Sequence, residues 1–138
     1  MIKPRGLRNN NPGNIRNSDA TDWKGEIDPS KKVDHSFEEF ESMAHGYRAL
    51  MKLLQNYRIY HKCQTITDFI NRWAPRSEND TVSYIRTVCR EMQVPTTYIP
   101  DVYDKTTMCA LASAISLVEN GIVAVPSEVE AGWVMLNT

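Results

Sequence analysis

Residues 5–16 read Arg5-Gly6-Leu7-Arg8-Asn9-Asn10-Asn11-Pro12-Gly13-Asn14-Ile15-Arg16. Four asparagines, three arginines, two glycines and a proline stand in this one stretch. That is turn chemistry: proline sets φ, glycine reaches positive φ, and asparagine side chains bond nearby backbone. The stretch nevertheless ends in an apolar residue, Ile15, as a loop does when it delivers the chain into a strand. Amide and guanidinium groups on a rigid loop suit sugars, carboxylates and phosphates, because each supplies directional donors. The same residues also suit a well-bonded surface turn that holds no ligand.

Reading on from this loop, Asn17 to Asp22 is polar turn material. Trp23 to Ile27 alternates apolar and polar, as a half-buried strand does. Asp28-Pro29-Ser30 turns the chain, and Val33 to Phe40 is expected to return as the second strand of a small β-hairpin. Helices follow. Met43, Tyr47, Leu50, Met51, Leu54 and Tyr57 recur at spacings of three and four, with Ser42 as N-cap. Thr65-x-x-Asp68 opens a short helix that Pro75 ends. Asp80 caps a third, with Val82, Ile85, Cys89 and Met92 on one face and Pro95 as its stop. A fourth runs from about Lys105 to Asn120 and stops at Gly121. Ser127-x-x-Glu130 is a capping box for a last short helix. The expected class is α+β, mostly α: about five helices and one small hairpin near the N-terminus, in one domain over residues 1–138.

Bulk properties narrow the function. A chain of 138 residues can bury a real core. A net charge of −1 supplies no basic field for nucleic acid or an anionic membrane. The apolar runs are far short of a membrane span, so membrane insertion is not expected. No basic-then-apolar leader opens the chain, and synthesis in the cytoplasm without a signal peptide is expected. Cys63, Cys89 and Cys109 are odd in number, widely spaced and set in or beside helical patterns; they are read as packing residues, without disulfide or zinc site. No metal or cofactor is expected.

Glu119 stands apart from the other carboxylates. It follows Ile115 by four residues and Ala112 by seven, so it lies on the apolar side of its helix, in the last turn. A carboxylate there meets the unfavourable end of the helix dipole and partial desolvation. Catalysis is one reason for such a placement; pairing with an arginine or swinging to solvent is the other reading. Glu38, Glu39 and Glu41 instead read as complements of a helix start. Arg48 is a candidate internal partner for Asp34 or Glu119.

The opening stretch resembles the signature of a phage and prophage structural-protein family that begins R-G-x-R-N-N-N-P-G-N-I-R. Trp23-x-Gly25, Asp34-x-x-Phe37-x-x-Phe40, Gly46-Tyr47-Arg48-Ala49-Leu50, Trp73-Ala74-Pro75, Glu78-Asn79-x-Thr81-x-x-Tyr84 and Glu119-Asn120-Gly121 continue the match. The family resembles the lysozyme-like peptidoglycan hydrolases, of glucosaminidase and lytic transglycosylase type. Leu111 to Gly121 is similar to the catalytic helix of lytic transglycosylases, which ends in Glu-Ser-Gly or a close variant. In glucosaminidases that helix precedes the asparagine-rich loop, whereas here it follows, so the resemblance implies a circularly permuted order.

The resemblance implies a muramidase or lytic transglycosylase with Glu119 as general acid/base and Glu26 or Asp34 as a second carboxylate from the hairpin. Arg8, Asn9, Asn10, Asn11 and Asn14 would bind N-acetyl groups and the peptide-bearing carboxyl. Glu78 is a backup acid, and Tyr84, Trp23 and Trp73 could offer faces to sugar rings. The alternative is a non-catalytic virion structural or wall-binding protein with the same fold. Partners would be peptidoglycan glycan strands and other virion proteins. The wall would be reached by virion, holin or lysis.

Overall fold

The computed structural model describes residues 2–138. Its helices are α1 (Arg5–Arg8), α2 (Met43–His61), α3 (Ile66–Trp73), α4 (Thr81–Met92), α5 (Lys105–Asn120) and α6 (Pro126–Leu136), with one 3₁₀ turn at Pro29–Lys31. The caps explain most of these limits. Ser42 accepts from His45 N at the start of α2. Thr65 and Asp68 form a reciprocal capping box on α3. Asp80 and Asp104 cap α4 and α5, and Gly121 ends α5 at φ 69°. Each cap gives a partner to backbone groups that a helix end leaves unpaired.

α6 starts one residue before the expected capping box. Pro126 occupies its first turn, where a missing N–H costs nothing, and Val125 is the N-cap with no side-chain bond. Glu130 instead accepts from Lys105 Nζ at 2.7 Å.

The expected β-hairpin is absent; the molecule is helical, and the α+β class is corrected to all-α. Among the described residues only two isolated antiparallel bridges occur, Arg16–Phe37 and Glu26–Phe40. The segment 36–41 therefore touches two different stretches, one residue pair at a time. Side chains take the backbone groups that a ladder would have used. Asn11 Nδ2 donates to the carbonyls of Ile15 and Glu38. Glu39 Oε2 accepts from Val33 N and Asp34 N, and Asp34 Oδ1 accepts from Ser36 N and Phe37 N. Strand propagation stops where those bonds are made.

The main core gathers Tyr47, Leu50, Met51 and Leu54 of α2, Phe69 and Ile70 of α3, Ile85 and Val88 of α4, and Met108, Leu111 and Ile115 of α5. α6 lies along α2, where Gly132 leaves so little room that a Cβ would sit 2.6 Å from Tyr47 Cβ. A smaller cluster of Ile15, Phe40 and Ala49, with Trp23 and Leu53 against it, fastens the N-terminal segment to α2. Cys63, Cys89 and Cys109 are free thiols. Among the described residues no helix is long and apolar enough to cross a membrane.

Candidate functional site

The signature stretch folds as one helical turn followed by a tight, internally bonded loop. Asn10 and Asn14 sit at φ 52° and 50°, a region that asparagine enters more readily than most residues. Asn11, fully buried, bonds Ile15 N through Oδ1 as well as the two carbonyls above. Asn9 Nδ2 donates to Asp34, and Asn10 Nδ2 to the carbonyl of Phe40. Three of the four asparagines are therefore spent on the loop's own architecture.

Asn14 is the exception. Its Nδ2 donates to Glu119 Oε1 at 2.8 Å, across 105 residues of sequence. Tyr84 OH donates to Glu119 Oε2, also at 2.8 Å. The last turn of α5, the signature loop and α4 thus meet at one carboxylate. Burial and the neighbouring Glu119 charge push the Tyr84 phenol far above its usual range. The phenol therefore stays a donor at any working pH.

Asn120 locks this junction from behind. Its Nδ2 donates to the carbonyls of Pro12 and Ser116, both at 3.0 Å. Gly6 lies against it so tightly that an added Cβ would be 2.4 Å from Asn120 Oδ1. Tyr47 OH donates to Ser116 Oγ beneath.

Glu119 lines a cleft of about 420 Å³ together with Gly13, Asn14, Arg16, Phe37, Tyr57, Trp73, Glu78 and Asn79. One wall is aromatic: Tyr57 and Trp73 have ring centroids 6.0 Å apart. Phe37, also in the lining, carries the Arg5 and Arg16 guanidinium groups at 4.3 and 5.2 Å from its ring centroid. Arg16 and Glu78 form a loose pair at 3.5 Å on the exposed rim. Such a pair contributes little and leaves both groups available.

Of the residues singled out from sequence, Glu119, Asn14, Glu78 and Tyr84 come together. Glu26, Asp34, Arg8, Asn9, Asn10 and Asn11 are not brought to the cleft. Asp34 is tied to Arg5 Nε at 2.6 Å and to Asn9 Nδ2 at 3.0 Å. The Arg5 bond first, then Asn9 and the amides of Ser36 and Phe37, hold its carboxyl well below the usual range. It is a loop anchor with no free lone pair aimed at a substrate. Glu26 stands beside the fully buried Glu38, away from the cleft. Arg8 lies with Asp34 and Glu39 around a different hollow. Trp23 packs on the small cluster, and Arg48 forms an ion pair with neither Asp34 nor Glu119.

Phe37 and Tyr57 were not foreseen as cleft residues. Phe37 read as a strand anchor, and Tyr57 fell on the helical stripe that otherwise marks core. Asn120 entered the sequence reading within the Glu119-Asn120-Gly121 match, with no bonding role assigned. Among the described residues no group of three or more His, Cys, Asp or Glu is placed to hold a metal ion.

A helical protein whose cleft carboxylate Glu119 is held by an asparagine of the N-terminal loop has a viral counterpart. Protein P5 of Pseudoalteromonas phage PM2 is 38% identical over 119 residues, which span 85% of this chain and 71% of that protein. The chain belongs to the same phage protein family as P5. No protein-family model matches the sequence.

Proposed function

We propose that the chain is a phage-type peptidoglycan hydrolase, a muramidase or lytic transglycosylase, in which Glu119 acts as general acid/base on the glycan strand. The observation that carries this is the clamped Glu119 carboxylate in an aromatic-walled cleft. Glycosidic cleavage needs a proton delivered to the leaving oxygen by a positioned carboxyl. Asn14 and Tyr84 fix the orientation of that carboxyl, each by one hydrogen bond to one oxygen. The faces of Trp73 and Tyr57 suit the apolar side of a sugar ring, and Asn79 supplies an amide on the same rim. Glu119 is the buried-side carboxylate of this cleft, and Glu78 is an exposed one on the rim. A single acid suffices for a transglycosylase-type reaction, in which the sugar's own hydroxyl closes the ring.

Kinship to a phage protein supports a phage setting for this activity. The strand would be met at the cell wall, by way of a virion, a holin or lysis, with a lysozyme-like domain in permuted order as the framework. The test is turbidity clearing of purified peptidoglycan by the wild type and by Glu119→Gln, with helicity checked for both. The wild type is expected to clear, and the variant to lose about a hundredfold or more. Clearing by both would move the acid elsewhere, Glu78 first. A wild type inert on walls from several bacteria would favour the non-catalytic virion or wall-binding role, to which the phage relationship is equally suited.

A further inference from the structure

The Glu119 cleft does not end at Tyr57 and Pro75. Both residues also line a second hollow of about 620 Å³, so the two spaces adjoin along one groove. Its chemistry is different. His61, Lys62 and Arg72 face it, and among the described residues no carboxylate pairs with Lys62 or Arg72. The carboxylate in this lining is Asp68, whose Oδ2 accepts from Gln64 N and Thr65 N, both at 3.0 Å, in the cap of α3.

Arg72 is also pre-set. Its guanidinium lies 5.2 Å over the Tyr57 ring centroid and reaches His61 Nε2 at 3.2 Å. A guanidinium only donates, so His61 accepts, and donors of Arg72 remain for a ligand. A planar cation stacked on the aromatic that separates the two hollows is suited to bidentate capture of a carboxylate.

We propose that this groove end binds a carboxylate carried by the strand cut at Glu119, with Arg72 as the principal contact and Lys62 as support. The inference rests on the glycan-strand reading above, and it makes the enzyme selective for acidic glycan over neutral glycan of the same backbone. The carboxylate could belong to a lactyl substituent on the sugar or to a peptide attached through it.

Binding to the uncleaving Glu119→Gln protein separates these sources. Titration calorimetry at low salt would use a chitin hexamer, glycan strands stripped of peptide by an amidase, and strands that keep their peptides. The acidic strands are expected to bind about tenfold tighter than chitin. Adding Lys62→Gln and Arg72→Gln should remove that advantage and leave chitin binding unchanged. Both positions are exposed, and Gln93 already occupies the same left-handed conformation as Lys62, so folding is expected to survive. Arg72→Lys should restore part of the preference. An advantage confined to stripped strands assigns the lactyl carboxylate, which an attached peptide masks as an amide, and one shown by peptide-bearing strands assigns the peptide's own carboxylate. In the cleaving chain, the double variant should raise KM on peptidoglycan with kcat retained.

Equal affinity for all three strands, or equal loss on all three, overturns the inference. Cleavage by the wild type without charge preference overturns this inference alone. Charge-selective binding without cleavage overturns the hydrolase reading and leaves the anion site standing.

Discussion

At the scale of single residues, Tyr84 offers the sharpest prediction after Glu119. Its hydroxyl is the donor to Glu119 Oε2, and it is buried, with only 5% of its surface exposed. Tyr84→Phe deletes one oxygen and keeps the ring. The Glu119 carboxylate then keeps Asn14 but is free to turn about that bond. Loss of one hydrogen bond to a charged group corresponds to about 1.5–3 kcal/mol, so kcat on peptidoglycan should fall by about tenfold or more. KM should change little, because the phenol meets the carboxylate and not the strand. An unchanged kcat, measured on soluble glycan fragments, would remove Tyr84 from the positioning role. The same residue shows what sequence can and cannot convey. The sequence offered its ring as a face for a sugar, on a helix whose inward stripe was read from Val82, Ile85, Cys89 and Met92. Its bond to a carboxylate 35 residues away was not readable, since no local pattern encodes a contact between two helices.

At the scale of elements, the helices were legible and the N-terminal segment was not. α2 to α5 carry their own start and stop signals, and Ser42, Thr65, Asp80 and Gly121 fulfil them locally. The segment from Trp23 to Phe40 has strand-like alternation, but its backbone is claimed by side chains, Asn11 from outside the segment and Asp34 and Glu39 from within it. In the sequence the asparagines read as ligand groups because their side chains are good donors. Asn9, Asn10 and Asn11 turn those donors inward instead. The seating of this loop on α2 gives a test. Gly46 lies in α2, where alanine would ordinarily stabilise a helix by about 1 kcal/mol. Here an added Cβ would fall 2.0 Å from Asn10 O and 2.6 Å from Pro12 Cδ. Gly46→Ala should therefore destabilise, by about 1–3 kcal/mol as over-packing does, and should lower activity by displacing Asn14. Urea unfolding of the variant checks the sign: a gain in stability would mean the loop does not rest on this helix as described.

At the scale of the whole molecule, two carboxylate clusters in the N-terminal segment set opposite limits on stability. Asp34 is held ionised by Arg5, Asn9 and two backbone amides. Its folded pKa is depressed, so its contribution is present above the ordinary carboxylate range and is lost as pH falls. Glu38 behaves in the reverse sense. It is fully buried, it faces Glu26, and Lys32 Nζ reaches it at 3.1 Å. Burial, and then the hydrogen bond and charge of Glu26, outweigh Lys32 and push its carboxyl up to about 7 from an ordinary 4.5. In that interval the folded chain holds a proton that the unfolded chain has released. Folded protein therefore binds more protons, and stability falls as pH rises. The contribution is complete below about 4.5 and is lost as pH passes through about 7. Thermal midpoints should accordingly be highest at about pH 5, fall towards neutrality, and fall again in stronger acid as Asp34 protonates. Glu38→Gln mimics the protonated acid, with an amide that can donate to Glu26 at every pH. That variant should flatten the descent between pH 5 and 7 and leave the acid limb in place, whereas Asp34→Asn should do the converse. A wild-type midpoint that rises steadily from pH 5 to 7 would show that Lys32 wins over burial, and that Glu38 is an ordinary ion pair.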